Sequence, residues 1–180
     1  MWINSGAAGN PINTAATGGG PATWAFWLRP ETIPESTSRL WQRGTGAGST
    51  QLIEFSDTTP NLDFFIDYSD TNLLRRSVNS FVDLNTWRFY AITWDGSTTA
   101  ANATMYKDGV AATYEATTDG VGTYNVLPFN IALGFSTTGT SREVNGQVAY
   151  FHLYDRILSL AELEQIRRMP GSVPRGLALF

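Results

Sequence analysis

The chain contains no cysteine and only one histidine, His152. The absence of cysteine excludes disulfide bonds, thiolate zinc sites and a cysteine nucleophile. A single histidine excludes a histidine-rich metal site and the HExxH motif, and no Gly-x-Ser-x-Gly elbow stands near it to indicate a catalytic triad. The sequence therefore disfavours the commonest zinc-dependent and nucleophilic hydrolases.

Charged residues are also scarce, since Asp, Glu, Lys and Arg make up 16% of the 180 residues, against roughly 25% in typical soluble domains. The net charge is −4 and no cluster of Lys or Arg interrupts it, which predicts that the chain does not bind nucleic acid. No run reaches the ~20 apolar residues of a membrane span, and the first residues do not resemble a signal peptide. We expect neither feature in this sequence.

Aromatic residues are abundant, with six Trp, seven Tyr and ten Phe, and such residues favour strands. Trp24, Phe26 and Leu28 alternate with their neighbours over residues 22–29, and this period of two predicts a strand. Residues 87–94 alternate in the same way. The pair Asp108-Gly109 predicts a two-residue hairpin turn.

One helix is predicted near the carboxyl end of the chain. Ser159 and Glu162 have the spacing of a capping box, in which each side chain bonds the other residue's backbone amide. Leu163 and Ile166 follow at helical spacing, and Pro170 marks the end of the helix.

These patterns define the domain organisation. Residues 1–21 are rich in Gly, Ala, Asn and Pro, which predicts an N-terminal arm or loop. Residues 22–180 are predicted to form one domain. Short strands separated by turns, with a single helix, indicate an all-β fold with two antiparallel sheets, a β-sandwich with one short C-terminal helix.

Three segments resemble the laminin-G-like (LamG), concanavalin A-like lectin–glucanase superfamily, and they occur in that family's order. The first is residues 22–30, ATWAFWLRP. The second is residues 85–96, NTWRFYAITWDG, followed by residues 105–109, MYKDG. The third is residues 131–134, IALG, followed by residues 145–159, NGQVAYFHLYDRILS. The resemblance implies a jelly-roll sandwich that works by binding.

The resemblance also implies that the chain could bind calcium, which is the commonest ion in this family. Asp residues that could supply oxygen ligands are scattered near the predicted turns, but they have no EF-hand spacing, and Asp in turns often bonds its own backbone. A structural Ca²⁺ therefore stays open as a prediction, and no metal-site residues are assigned.

A candidate binding patch follows from the alternation within two strands. Trp27 and Arg29 point away from the side on which Trp24, Phe26 and Leu28 lie. Phe151 and Leu153 match the family's core positions, so the opposite face carries three further candidates: Tyr150, His152 and Tyr154. If the two strands are neighbours, these five residues form one aromatic and polar patch. The alternative is that loops, the arm or the helix cover it.

The sequence leaves three functions open. The first is a non-catalytic recognition module for glycans or protein surfaces, located outside the cell. The second is a structural virion subunit, such as a phage decoration, head-fibre or tail protein, with capsid or tail partners and a homo-oligomeric state. The third, a glycoside hydrolase, is disfavoured because the paired carboxylates that it needs are not seen at strand spacing.

Overall fold

The protein is described from a computed structural model that defines residues 2–3, 20–33, 37–45, 48–55, 59–125, 130–134, 142–170 and 177–178. In this part of the chain, two antiparallel sheets face each other across one core. A seven-stranded sheet has the order β1 (Trp2–Ile3), β11 (Asn130–Leu133), β3 (Ser38–Thr45), β4 (Gly48–Phe55), β5 (Asp63–Ile66), β6 (Leu73–Ser77) and β10 (Tyr114–Thr118). A six-stranded sheet has the order β13 (Leu177–Ala178), β12 (Gly146–Tyr154), β2 (Ala22–Pro30), β7 (Arg88–Trp94), β8 (Thr104–Lys107) and β9 (Val110–Ala111). The predicted two-sheet sandwich is confirmed.

The core lies between the sheets and is built largely from aromatic rings. Phe151 stacks on Phe26 at 5.4 Å between ring centroids and on Trp41 at 5.2 Å, with interplanar angles of 11° and 12°. Trp41 belongs to the seven-stranded sheet and the two phenylalanines to the six-stranded one, so the stack joins the layers. Burying each such side chain contributes about 1.5–3 kcal/mol. The predicted inward face of β2 is confirmed, since Trp24, Phe26 and Leu28 are fully buried.

One predicted strand divides between the two sheets. The Asp108-Gly109 turn is followed by residues 110–115, which the sequence pattern predicts as one continuous strand. In the structure, β9 pairs with β8 while β10 pairs with β6 of the opposite sheet. Between them, the Ala112 amide still donates to the Met105 carbonyl at 2.9 Å, and the Thr113 carbonyl accepts from Val78 at 3.0 Å. The chain thus passes from the edge of one sheet to the edge of the other within these few residues.

Strand β12 contains a bulge that the alternation does not predict. Ala149 pairs with Trp27 and His152 pairs with Ala25, so Tyr150 and Phe151 together oppose the single residue Phe26. Tyr150 adopts a φ of 50°, in the left-handed region that a bulge can impose on a strand residue. Ala149 therefore shares a face with Trp27, while Phe151 returns to the core.

The predicted helix is α1 (Leu160–Arg168), and its capping box is formed as expected between Ser159 and Glu162. It packs on the outer face of the six-stranded sheet, defined here as the face turned away from the core. Leu163 and Ile166 form one buried cluster there with Ala25, Ala91 and Phe89. The two alanines leave room for the helix to approach the sheet closely.

A buried threonine on β2 holds the turn that precedes the helix. The Thr23 hydroxyl donates to the Arg156 carbonyl at 2.7 Å and accepts from the Leu158 amide at 3.0 Å. These two bonds link the sheet to the start of α1. Because Thr23 has no exposed surface, its bond with the buried Leu158 amide forms without competition from water, whereas the Arg156 carbonyl is only partly buried.

Most of the predicted arm over residues 1–21 lies outside the described residues. Strand β1 is described, and its residues Trp2 and Ile3 pair with Ala132 and Ile131 of β11. At the other end, β13 pairs with β12 as a terminal strand. None of the described helices is long and apolar enough to cross a membrane.

Candidate functional site

An open cleft of about 420 Å³ lies on the outer face, beside the last turn of α1. Its volume falls within the range of ~300–1,000 Å³ that is usual for small-ligand sites. The cleft is lined by three aromatic residues, two arginines, an alanine and a proline: Trp27, Trp87, Tyr150, Arg167, Arg168, Ala149 and Pro170. We call it the helix-end cleft.

Trp27 is fixed by its strand neighbours. It lies on β2 between Ala149 of β12 and Phe89 of β7 in the register of the sheet. Its ring contacts Phe89 at 5.9 Å between centroids with a tilt of 57°. Trp27 and the small residue Ala149 beside it both line the cleft.

Trp87 enters the cleft from the loop that precedes β7. Asn85 holds this loop to the end of β2, because its amide donates to the Pro30 carbonyl at 2.7 Å. Arg29 adds a bond from its Nε to the Asn85 carbonyl at 3.3 Å and an ion pair with Glu31 at 3.3 Å. The predicted site residue Arg29 therefore does not line the cleft but supports the loop that carries Trp87.

Tyr150 reaches the cleft because of the bulge in β12. Its side chain is 52% exposed, whereas the neighbouring Phe151 is buried in the core. A left-handed backbone at a non-glycine residue costs roughly 1–2 kcal/mol. Such local strain is common at binding sites, where bulges redirect a side chain.

The last turn of α1 supplies the two cations of the cleft. Arg167 donates from Nε and Nη2 to the two carboxylate oxygens of Glu164, each at 2.7 Å, and Arg168 donates from Nε at 2.5 Å. These bonds lower the pKa of Glu164 to about 2, so its single negative charge is shared between the two guanidinium groups. The cleft thus combines aromatic surfaces with guanidinium donors, a combination that can hold an uncharged ring and hydrogen-bond its polar substituents.

The other two predicted residues are not in the cleft. His152 and Tyr154 lie on the outer face, as the alternation predicts, but they are only 3% and 2% exposed. Their rings contact each other at 6.3 Å between centroids. Tyr154 belongs to the cluster under α1, and β13 pairs beside His152. At these two positions the outer face is therefore covered, as in the alternative that other parts of the chain lie over the patch.

Burial also sets the ionisation of this pair. It lowers the pKa of His152, against a smaller opposing effect of the Pro170 backbone, and it raises the pKa of Tyr154. Both side chains are therefore held in their neutral forms at physiological pH, which suits a packing role.

Five lining residues were not among the sequence candidates: Trp87, Ala149, Arg167, Arg168 and Pro170. Trp87 has the same strand parity as Phe89, which is opposite to the core residues Tyr90 and Ile92, so the alternation contained the signal for it. Arg167 and Arg168 gave no comparable signal, because the sequence does not determine where α1 docks.

Metal binding is not tested by the structure. Among the residues that it describes, no three acidic or histidine side chains are grouped as a metal site. Asp95 illustrates the turn role of the aspartates, since its carboxylate accepts from the Ser97 amide and hydroxyl at 2.9 and 2.7 Å and from Asn102 at 2.7 Å. Structural calcium stays a prediction.

One protein-family model matches most of the chain. A laminin G model described as the concanavalin A-like lectin/glucanases superfamily matches residues 4–164. No curated protein sequence matches the chain.

Several solved structures are similar in fold. The CBM40 of the Ruminococcus gnavus IT-sialidase, bound to α2,3-sialyllactose, has a TM-score of 0.61 at 14% identity, covering 86% of this chain and 85% of that one. The heptameric SAP-like pentraxin of Limulus polyphemus has a TM-score of 0.55 at 12% identity, covering 81% and 69%. The Trypanosoma rangeli sialidase has a TM-score of 0.57 at 15% identity, covering 86% of this chain but only 24% of the sialidase. At these identities the likeness shows the fold alone.

Proposed function

Since the chain belongs to the concanavalin A-like lectin/glucanases superfamily, we propose that it is a non-catalytic glycan-binding module and that the helix-end cleft is its binding site. The observation that carries this proposal is the grouping of Trp27, Trp87 and Tyr150 beside two arginines in one open cleft. The C–H faces of sugar rings are apolar and can stack on aromatic side chains, while guanidinium groups bond the hydroxyls.

The lining of the cleft favours binding over catalysis. Retaining glycoside hydrolysis needs two carboxylates about 5–5.5 Å apart on either side of the scissile bond. Among the described residues that line the cleft there is no carboxylate, and the nearby Glu164 is engaged by Arg167 and Arg168. We therefore propose recognition without turnover.

The similar structures support the same class of function. Their names include a CBM40 bound to a sialylated sugar and a pentraxin. We propose that this chain likewise binds glycans, that it does so outside the cell, and that its binding surface lies on the outer face.

The test is a glycan array followed by titration of the bound glycans, with Trp87→Ala as the main variant. Trp87 is 39% exposed, so its removal leaves the core intact. Loss of one aromatic platform should weaken binding about 10-fold or more, since every 1.4 kcal/mol corresponds to about tenfold. Leu84→Ala is the matched control, because Leu84 lies in the same loop, is 38% exposed and does not line the cleft.

The outcomes are distinct. If Trp87→Ala weakens glycan binding and Leu84→Ala does not, the cleft is the site. If glycans bind and Trp87→Ala has no effect, the site lies elsewhere on the molecule. If no glycan binds, a protein surface becomes the ligand to search for, since aromatic residues with Arg also dominate protein interfaces.

The role of a virion subunit stays a prediction with its own test. Light scattering of the intact chain beside a variant that lacks residues 1–21 measures the oligomeric state of each. A symmetric oligomer that requires these residues supports an assembly role, and a monomer in both cases rejects assembly through the predicted arm.

A further inference from the structure

We propose that the helix-end cleft selects glycans in which one sugar carries an anionic group, a carboxylate or a sulfate ester, and that Arg168 contacts this group. The inference rests on the proposed glycan binding and names the class of sugar. It follows from the charges around the cleft.

The wall of the cleft is positively charged. Arg167 and Arg168 line it, and no acidic residue is among the described lining residues. Glu164 stands next to both and can compensate only one of the two positive charges. Within the described part of the chain, the terminal nitrogens of Arg168 make no hydrogen bond, and its side chain is 71% exposed. Arg168 is therefore oriented by Glu164 through Nε, with its outer donors available to a ligand.

The neighbouring charges do not cancel this excess. Asp108 lies close enough to interact with Arg167. However, it belongs to a cluster in which Arg88 and Lys107 already pair with Asp83 and Asp108 at 2.7–3.1 Å. That cluster has two anions and two cations and balances itself. The negative end of the helix dipole is worth about half a charge, which reduces the excess without removing it.

The overall charge of −4 limits the ligand in a different way. Remote charges are screened beyond about 8 Å at physiological ionic strength, so they oppose a long polyanion more than a single anionic sugar at the cleft. A guanidinium binds a carboxylate or sulfate through paired donors. The arrangement thus fits one acidic sugar, with its uncharged neighbours stacked on Trp27, Trp87 and Tyr150.

The experiment compares pairs of glycans that differ only in the anionic group. The pairs are 3′-sulfated lactose with lactose and α2,3-sialyllactose with its carboxyl-reduced form, within an array of other acidic glycans and their carboxyl-reduced or desulfated forms. Each is titrated against the unaltered chain, Arg168→Gln, and Arg156→Gln as control. Arg156 pairs with Glu162 at 2.7 Å at the other end of the helix, so the control makes the same change in net charge away from the cleft.

We expect the acidic member of a pair to bind about 10- to 100-fold more tightly, as a charge-assisted hydrogen bond would provide. This preference should disappear in Arg168→Gln, persist in Arg156→Gln and weaken with added salt. The sialylated and sulfated probes show which anion the cleft prefers.

Two results would overturn the inference, and they differ from each other. If neutral and acidic forms bind equally and Trp87→Ala weakens both, the glycan site stands and the charge selection is wrong. If no probe on the array binds, the proposed function fails together with it.

Discussion

The link between Thr23 and the turn before α1 gives a sharp prediction about how the cleft is held. Thr23→Val keeps the shape of the side chain but removes both hydrogen bonds of the hydroxyl. The Leu158 amide is buried and would lose its acceptor, at a cost of about 1–3 kcal/mol. The Arg156 carbonyl is partly exposed, so water can replace the lost donor and the cost is about 0.5–1.5 kcal/mol.

We therefore expect Thr23→Val to lower the free energy of unfolding by about 2–4 kcal/mol, which corresponds to a Tm lower by roughly 5–15 °C. Chemical denaturation followed by tryptophan fluorescence measures the first quantity, and calorimetry measures the second. Glycan binding should also weaken, because the turn helps to position the helix that carries Arg167 and Arg168.

Thr93→Val provides the matched control. Thr93 pairs with Thr23 in the register of β2 and β7 and is 5% exposed. Its hydroxyl makes no hydrogen bond among the described residues, so we expect a change within about 1 kcal/mol. Equal losses in the two variants would refute the argument, because they would show that the hydroxyl bonds of Thr23 contribute nothing.

Three further predictions concern the outer face and the core. The NMR titration of His152 should have its midpoint below the ordinary 6.5. Because the unfolded chain then binds the proton more readily, stability should fall as the pH drops from about 6.5 towards that lowered value. Tyr150→Gly should be more stable than Tyr150→Ala by about 1 kcal/mol in denaturation, since glycine tolerates the φ of 50°. Phe151→Ala should lose about 3–5 kcal/mol in the same assay, because it empties the centre of the stack with Phe26 and Trp41.

Each of these has a result that contradicts it. A His152 midpoint at or above 6.5, or an unchanged slope of stability with pH in His152→Gln, would reject the buried neutral imidazole. Equal stability of the two Tyr150 variants would mean that the bulge is not strained. A loss under about 1 kcal/mol in Phe151→Ala would show that the stack can collapse around the missing ring.

Local patterns in the sequence determined the elements. The alternation of Trp24, Phe26 and Leu28 identified both β2 and its buried face, because strand side chains alternate by geometry alone. The capping box at Ser159 and Glu162 likewise fixed the start of α1, since it depends on residues three apart. The same local logic was sufficient to identify Trp87, whose parity with Phe89 matches the outer face, although Trp87 was not among the candidates.

Only the tertiary structure decided which outward side chains are accessible. Tyr150 and His152 look equivalent in sequence, but the bulge in β12 exposes Tyr150. His152 is buried, because β13 pairs beside it and α1 packs on the neighbouring part of the sheet. A bulge depends on pairing with β2, and helix docking depends on the small residues Ala25 and Ala91, which are distant along the chain. Arg168 reaches the cleft for the same reason: its position follows from long-range packing that no local pattern encodes.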